Sequence, residues 1–201
     1  MFKLVKLLLV LGLIGAAFYV GSVYADKQDL QDKVLRLHVV GASDSAADQE
    51  IKLKVRDAVL EELEVILEQS TSKEDAQQKI ESELNRLEEA ANQMLHECGV
   101  SDVAAVTLDR EKFDTRVYDT FVLPAGVYDS LRVTIGDGEG KNWWCVVFPR
   151  LCVSAASEQV EDAATGAGFS HGLSGAITGK KQYRVRFFLI DCLGKLENIF
   201  T

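Results

Sequence analysis

The stretch Gly136-Asp-Gly-Glu-Gly-Lys-Asn-Trp-Trp-Cys-Val-Val-Phe-Pro-Arg-Leu-Cys152 carries the clearest local pattern in this chain. Its glycines allow backbone angles that residues with a Cβ avoid, so they predict a turn. The bulky apolar run that follows predicts a short β-strand ending at Pro149. Successive side chains of a strand point to opposite faces. Trp143 and Trp144 therefore cannot share one core, and we expect one of them to face a second layer, a loop or a partner.

The segments around this stretch predict an α+β fold. Residues 34–40 alternate as a strand, with Arg36 and His38 on the face opposite the leucines. Apolar residues recur with the spacing of a helix face over 46–69 and again over 71–98, and the short link between them favours an antiparallel helical hairpin. Further strands are expected in four places, Val103–Leu108, Arg116–Leu123, Tyr128–Ile135 and Trp143–Phe148. We predict that the hairpin packs on a mainly antiparallel sheet, with these four strands joined as a meander.

The C-terminal third contains two segments of different character. Residues 154–181 are rich in Ala, Gly and Ser, which predicts a flexible loop. Residues 182–200 recover helical spacing and predict a C-terminal helix, with a strand beginning at Tyr183 as the alternative.

The N-terminus has the pattern of an export signal. Lys3 and Lys6 precede an apolar run from Leu7 to Val20, and Val23-Tyr-Ala25 offers small residues at a cleavage site before Asp26. An uncleaved membrane anchor is the alternative, because the apolar stretch approaches the length that spans a bilayer. We therefore divide the chain into a signal peptide or anchor, residues 1–25, and a single domain, residues 26–201. Both interpretations place that domain outside the cytoplasm.

The net charge of the chain argues against some classes of binding partner. The net charge is −9 at pH 7, and removal of residues 1–25 would take away two lysines and no acid. Phosphate backbones would be repelled, so a nucleic-acid partner is not expected. Electrostatic binding to anionic lipid is disfavoured for the same reason, which leaves the N-terminal segment as the expected membrane contact.

The four cysteines are Cys98, Cys145, Cys152 and Cys192. Disulfides persist outside the cytoplasm, and four cysteines allow three pairings. We predict a Cys145–Cys152 disulfide from their proximity around Pro149. Cys98 and Cys192 fall on apolar helical stripes and are interpreted as small buried residues. The spacing of the cysteines and histidines predicts no metal site, and no cofactor motif is complete.

One enzymatic interpretation remains open. Asp137 and Glu139 lie beside the two tryptophans, and paired carboxylates near aromatic platforms are used by glycosidases. A cell-wall-directed hydrolase is therefore the alternative function. The simpler interpretation is that both acids keep a glycine turn solvated.

Several blocks together resemble stage II sporulation protein R of endospore-forming bacteria. They are Leu35-Arg-Leu-His-Val-Val-Gly-Ala-Ser-Asp-Ser45, Lys54-Val-Arg-Asp-Ala-Val59, Phe121-Val-Leu-Pro-Ala-Gly-Val-Tyr128 and, above all, Gly136 to Cys152. The resemblance implies a protein exported from the forespore into the space between the two membranes. There it would activate a membrane-embedded aspartic protease of the mother cell, which processes the precursor of the sigma-E factor. It implies a ligand without catalysis of its own.

A binding role directs attention to the surface around the tryptophans. Tryptophan with flanking arginine is the composition of an interface hot spot. The predicted partner-binding residues are Trp143, Trp144, Glu139, Asn142 and Arg150.

Overall fold

The structure is a computed structural model of the chain, and it describes residues 2–118, 120–151, 163, 165–179 and 184–200. Within these residues, the helices and strands occur in groups along the chain. They are α1 (Phe2–Lys33), β1 (Leu35–Val40), α2 (Ala46–Ile66), α3 (Lys73–Ser82), α4 (Leu84–Glu97), β2 (Ala104–Phe113), β3 (Arg116–Val117), β4 (Val122–Leu123), β5 (Gly126–Ile135), β6 (Asn142–Phe148), α5 (His171–Ile177) and α6 (Arg184–Phe200).

The main sheet has four strands in the order β2-β5-β1-β6. β1 is parallel to β5 and antiparallel to β6, and β2 is antiparallel to β5. The sheet is thus mainly antiparallel, as predicted, but the meander is wrong because β1 separates β5 from β6. β1 takes this central place because nearly all its residues are buried, and only an inner strand has both faces covered. Residues 116–123 were expected to form one strand, and they instead supply β3 and β4, which pair only with each other.

Helices cover both faces of the sheet. One core lies between the sheet and α2, α3 and α4, and it contains alternate residues of β1 such as Leu37 and Val39. A second core lies on the other face, where α1, α5 and α6 contribute Leu30, Leu173 and Ile190. The α+β class and the C-terminal helix are therefore confirmed. The prediction had one helical layer, whereas the structure has two, because the apolar side chains on the second face of the sheet are buried under helices as well.

The helices of the first layer largely follow the sequence signals. Ser45 caps α2 by accepting a hydrogen bond from the backbone N–H of Asp48. The predicted second helix is divided at Glu83 into α3 and α4, and its cap is Ser72. Gly99 follows α4 with a φ of 72°, a conformation that favours glycine.

α1 continues without a break through the predicted cleavage site. Residues 26–33, the start of the predicted domain, form its last two turns. Two of their polar side chains, Lys27 and Gln31, are buried and have partners. Lys27 pairs with Glu197 at 2.9 Å, and the Gln31 amide donates to the Val127 carbonyl. The segment Lys3–Lys33 is long and apolar enough to cross a membrane.

Within the predicted loop over residues 154–181, the described part contains the helix α5. Ser170 caps α5, whose Leu173 and Ile177 are buried in the second core. The burial of these apolar side chains stabilises a helix here, although the Ala, Gly and Ser content of the segment favours a loop. Residues 152–162 lie outside the described residues. The alternative strand from Tyr183 is wrong over 184–200, which are helical.

Cys98 and Cys192 are free and half-buried, so their burial is less complete than predicted. Cys145 is buried in the first core, whereas Cys152 lies outside the described residues. The Cys145–Cys152 disulfide therefore stays a prediction.

Candidate partner-binding site

The two tryptophans of β6 lie on opposite faces of the sheet, as the alternation of a strand requires. Trp143 packs against the first core, and the Arg56 guanidinium lies 4.7 Å from its ring centroid. Trp144 packs against the second core. Both rings are half-buried, so neither is a wholly internal side chain.

Trp144 is held between two cationic or ionisable side chains. The His38 ring stacks on it with 5.7 Å between centroids and 18° between planes. The Arg116 guanidinium lies 3.4 Å from the Trp144 ring centroid. Stacking of this kind fixes the orientation of the indole and gives the surface a positive character.

The glycine turn before β6 is seated firmly on the turn between β1 and α2. The Gly140 N–H donates to the Gly41 carbonyl at 2.8 Å, and a Cβ on Gly140 would lie 2.4 Å from the Ser43 oxygen. The Lys52 ammonium donates to the Lys141 carbonyl at 2.9 Å. These contacts explain why glycine is needed at position 140 and hold the start of β6 in place.

The five predicted binding residues do not form one patch. Glu139 and Asn142 are exposed at the start of β6, while Arg150 is exposed beyond its other end. The seven residues of β6 separate the two groups by about 20 Å at the usual rise of a strand. The two tryptophans between them point away from each other.

The carboxylates of the hydrolase alternative are not in a cleft. Asp137 and Glu139 are both exposed on the turn. The described cavities are lined by other residues. In the described part of the chain, no group of three or more His, Cys, Asp or Glu side chains is arranged to hold a metal ion.

A buried arginine lies behind the Trp144 surface, and the sequence interpretation gave it no role. Arg36 is fully buried on β1, with its guanidinium 3.7 Å from the Phe113 ring centroid and 5.1 Å from that of Tyr128. Its Nη2 donates to the Tyr118 hydroxyl at 3.1 Å. Among the described residues, its Nε and Nη1 have no hydrogen-bond partner. In the sequence, Arg36 shares with His38 the face of β1 opposite the leucines, and no local pattern shows that a second helical layer covers that face.

Burial lowers the pKa of the Arg36 guanidinium, the Tyr118 and Tyr128 rings oppose that shift, and the nearby charge of Arg116 adds to it. In the part of the chain that the structure describes, the hydrogen-bond partner of Arg36 is the Tyr118 hydroxyl, and no carboxylate forms an ion pair with it. Arg36 is therefore a buried cation surrounded by aromatic rings, an arrangement with a high desolvation cost.

The neighbouring acid, Glu111, is committed to other partners. It contacts His38 Nδ1 at 3.1 Å and accepts from Arg132 at 2.9 Å. Burial raises its pKa, but His38 and Arg132 outweigh that effect, and the net pKa is lowered. Glu111 is thus an ionised partner for His38 and Arg132, and within the described residues neither Arg36 nor Arg116 forms an ion pair with a carboxylate.

α6 fixes the segment that carries Arg116 and Tyr118. The Asp191 carboxylate accepts from the Thr115 hydroxyl, just before β3, and from the Ala125 N–H at 2.8 Å, just after β4. Burial raises the pKa of Asp191. Hydrogen bonds from Lys195, Thr115 and Ala125 lower the pKa by more than burial raises it, so the net shift is downward. An ionised Asp191 therefore clamps both ends of the β3–β4 hairpin.

Comparisons with known proteins agree with the resemblance seen in the sequence. Residues 31–158 match the family described as stage II sporulation protein R. A relative of that name from Bacillus subtilis (strain 168) is 37% identical over 123 residues, which are 61% of this chain and 55% of the relative. The chain thus aligns with little more than half the length of this relative. No solved structure matches the chain.

Proposed function

Since the chain belongs to the stage II sporulation protein R family, we propose that it is an exported signalling protein of sporulation. In this proposal it acts between the forespore and mother-cell membranes. It activates a membrane-embedded aspartic protease that cleaves the precursor of the sigma-E factor. The chain itself acts as a ligand and contributes no catalytic group.

The observation that carries the proposal is the continuity of α1 with the folded domain. Its first part, from Leu4 to Val20, exposes a row of large apolar side chains. Its last part is buried in the second core through Val23, Leu30 and Val34, the last of these just after the helix. A helix of this kind targets the chain to a membrane and joins directly to the domain that follows. The domain is thereby delivered to the compartment in which it would meet the protease.

The surface around Trp144 is the proposed contact with the protease. Trp144 is half-buried and stacked on Arg116, so it presents a rigid aromatic ring together with a cation. Such residues dominate binding energy when a partner covers them. The other predicted residues would lie outside this contact, because Trp143 faces the opposite side of the sheet and Glu139, Asn142 and Arg150 lie at or beyond the ends of β6.

Co-purification with the extracytoplasmic part of the protease tests this function. The intact chain should bind, and Trp144→Ala should weaken binding by about 2 kcal/mol, roughly thirtyfold, if the ring is a hot spot. Trp143→Ala is the matched control, because the same change is made one residue away on the opposite face. Absence of binding by the intact chain would count against the function. Equal binding by both variants would show that the Trp144 surface is not the contact with the protease.

The acidic pair gives a second control that separates a ligand from a hydrolase. Changing Asp137 to Asn and Glu139 to Gln leaves the turn contacts of Gly140 and Lys141 intact. We expect full signalling from this double variant, because a ligand needs no general acid. Loss of signalling with unchanged binding would favour the hydrolase instead.

A further inference from the structure

We infer that Arg116 and Tyr118, with the buried Arg36 behind them, form a binding site for a carboxylate side chain of a partner protein. The inference deepens the proposed function and rests on it, because it names the chemistry by which the Trp144 surface would recognise the protease. The partner residue is an aspartate or glutamate on an exposed segment.

The first argument is the unbalanced charge. Arg36 is fully buried, and two of its nitrogens have no acceptor within the described part of the chain. Arg116 is half-buried, and its Nε also lacks one. Buried guanidinium groups are normally paired with carboxylates or phosphates, since an unpaired charge retains its full desolvation cost. Two such groups side by side in a protein of net charge −9 form a local site for an anion.

The second argument is the direction of the hydrogen bond between Arg36 and Tyr118. The guanidinium donates to the phenol oxygen, so the phenol can use its own proton as a donor. Among the described residues, no group accepts a hydrogen bond from the Tyr118 hydroxyl. Hydrogen bonds in series polarise one another, so the buried cation strengthens Tyr118 as a donor to an incoming carboxylate. Arg36 thus contributes its charge to the site through the tyrosine.

The third argument is accessibility. Arg116 and Tyr118 are two residues apart on an extended segment, so both side chains lie on one face, while Val117 between them is 79% exposed on the other. Both are half-buried, as is Trp144, on which Arg116 stacks. A stacked guanidinium keeps its edge available for hydrogen bonds, the geometry that carboxylates prefer.

The shape of the site favours a protein partner. Tyr118 also stacks on Phe121, with ring centroids 4.4 Å apart, so aromatic rings border the charged groups. A carboxylate presented by a folded partner would have these rings as its dry surroundings, where a charge-assisted hydrogen bond is strongest.

The experiment uses the two indole N–H signals of the full chain in detergent micelles, since the chain has two tryptophans. The probe is a tetraglutamate peptide with blocked ends, and a tetraglutamine peptide is the uncharged control. The glutamate peptide should shift the Trp144 signal and leave that of Trp143 unchanged. Arg116→Gln should weaken the response about tenfold, the typical effect of losing one hydrogen bond to a charged group.

Arg56→Gln is the matched control variant, because Arg56 covers Trp143 on the opposite face in the same way. It should leave the response of Trp144 unchanged. Arg36→Met should also weaken the response, and because it replaces an unpaired cation by an apolar side chain we expect it to fold. If it does not fold, Arg116→Gln alone decides.

Three results would overturn the inference. They are a Trp144 shift that both peptides cause equally, an unchanged response in Arg116→Gln, and a larger shift with inorganic phosphate than with the glutamate peptide. Each is compatible with continued co-purification of chain and protease. The carboxylate site can therefore fail while the proposed function stands, and loss of co-purification by the unmodified chain marks failure of the function itself.

Discussion

Replacing Gly194 by alanine tests how α6 is seated on the sheet. A Cβ at this position would lie 1.6 Å from the carbonyl oxygen of Ala125, a distance that no side chain can accept. The obstacle is backbone, so no rotamer change can relieve it. α6 would have to move away from the Ala125–Gly126 segment, and the two carboxylate clamps of the helix would lengthen with it.

The cost follows from those clamps. Asp191 accepts from the Ala125 N–H at 2.8 Å, and Glu197 accepts from the Val127 N–H at 3.2 Å. Hydrogen bonds to charged groups contribute about 1.5–3 kcal/mol each, so losing both costs about 3–6 kcal/mol. Alanine returns up to about 1 kcal/mol as a better helix former than glycine. The net loss of unfolding free energy is therefore about 2–5 kcal/mol, a large share of the about 5–15 kcal/mol typical of a domain.

Gly172→Ala is the control, because it makes the same change in α5, where the nearest atoms to a Cβ are 3.8 and 4.0 Å away. Thermal unfolding of the full chain in detergent, followed by circular dichroism, should show a Tm at least about 4 °C lower for Gly194→Ala. Gly172→Ala should equal or exceed the parent. Equal Tm values for the two variants would refute the close approach of α6 to Ala125.

Three further predictions concern pH, the disulfide and the N-terminus. The pKa values of Asp191 and Glu197 are lowered in the folded state, in each case because bound donors outweigh burial. The unfolded chain therefore binds more protons than the folded chain below about pH 4, and the free energy of unfolding should fall as the pH is lowered there. The fall should be less steep in Asp191→Asn than in the parent. A free energy of unfolding that does not change down to pH 2 would contradict this prediction. A Cys145–Cys152 disulfide should stabilise the fold by about 2–3 kcal/mol. Alkylation of native protein should therefore leave both cysteines unlabelled. Labelling of both thiols would reject the disulfide. Mass spectrometry of released protein should find Asp26 as the first residue, and exclusively full-length, membrane-bound protein would support the anchor instead.

The sequence predicted best those features that depend on neighbouring residues. The helix predicted over 46–69 and the C-terminal helix both follow from the local spacing of apolar residues, and both are present. Strand order could not be read in this way. β1 pairs with β5 across nearly a hundred residues, and its place between β5 and β6 depends on which strand can be buried on both faces.

The site was predictable only in outline. That Trp143 and Trp144 face apart follows from the strand alone, but the layer that each meets depends on helices distant in sequence. Arg36 could be placed on the face of β1 opposite the leucines but not in a core, because the helices that cover that face are distant in sequence. Its meaning required the observation that Glu111 is taken by His38, which no local pattern contains.

Cleavage of the sigma-E precursor in a host that does not sporulate tests the central claim most directly. The host would express the membrane-embedded protease and the precursor, together with either the intact chain or Leu11→Arg/Ile14→Arg, whose charges interrupt the exposed apolar face of α1 and block export. Immunoblotting should show the processed sigma factor with the intact chain and unprocessed precursor with the variant. Unprocessed precursor in the presence of exported intact chain, or equal processing with the variant retained in the cytoplasm, would contradict the proposed role as an exported activator.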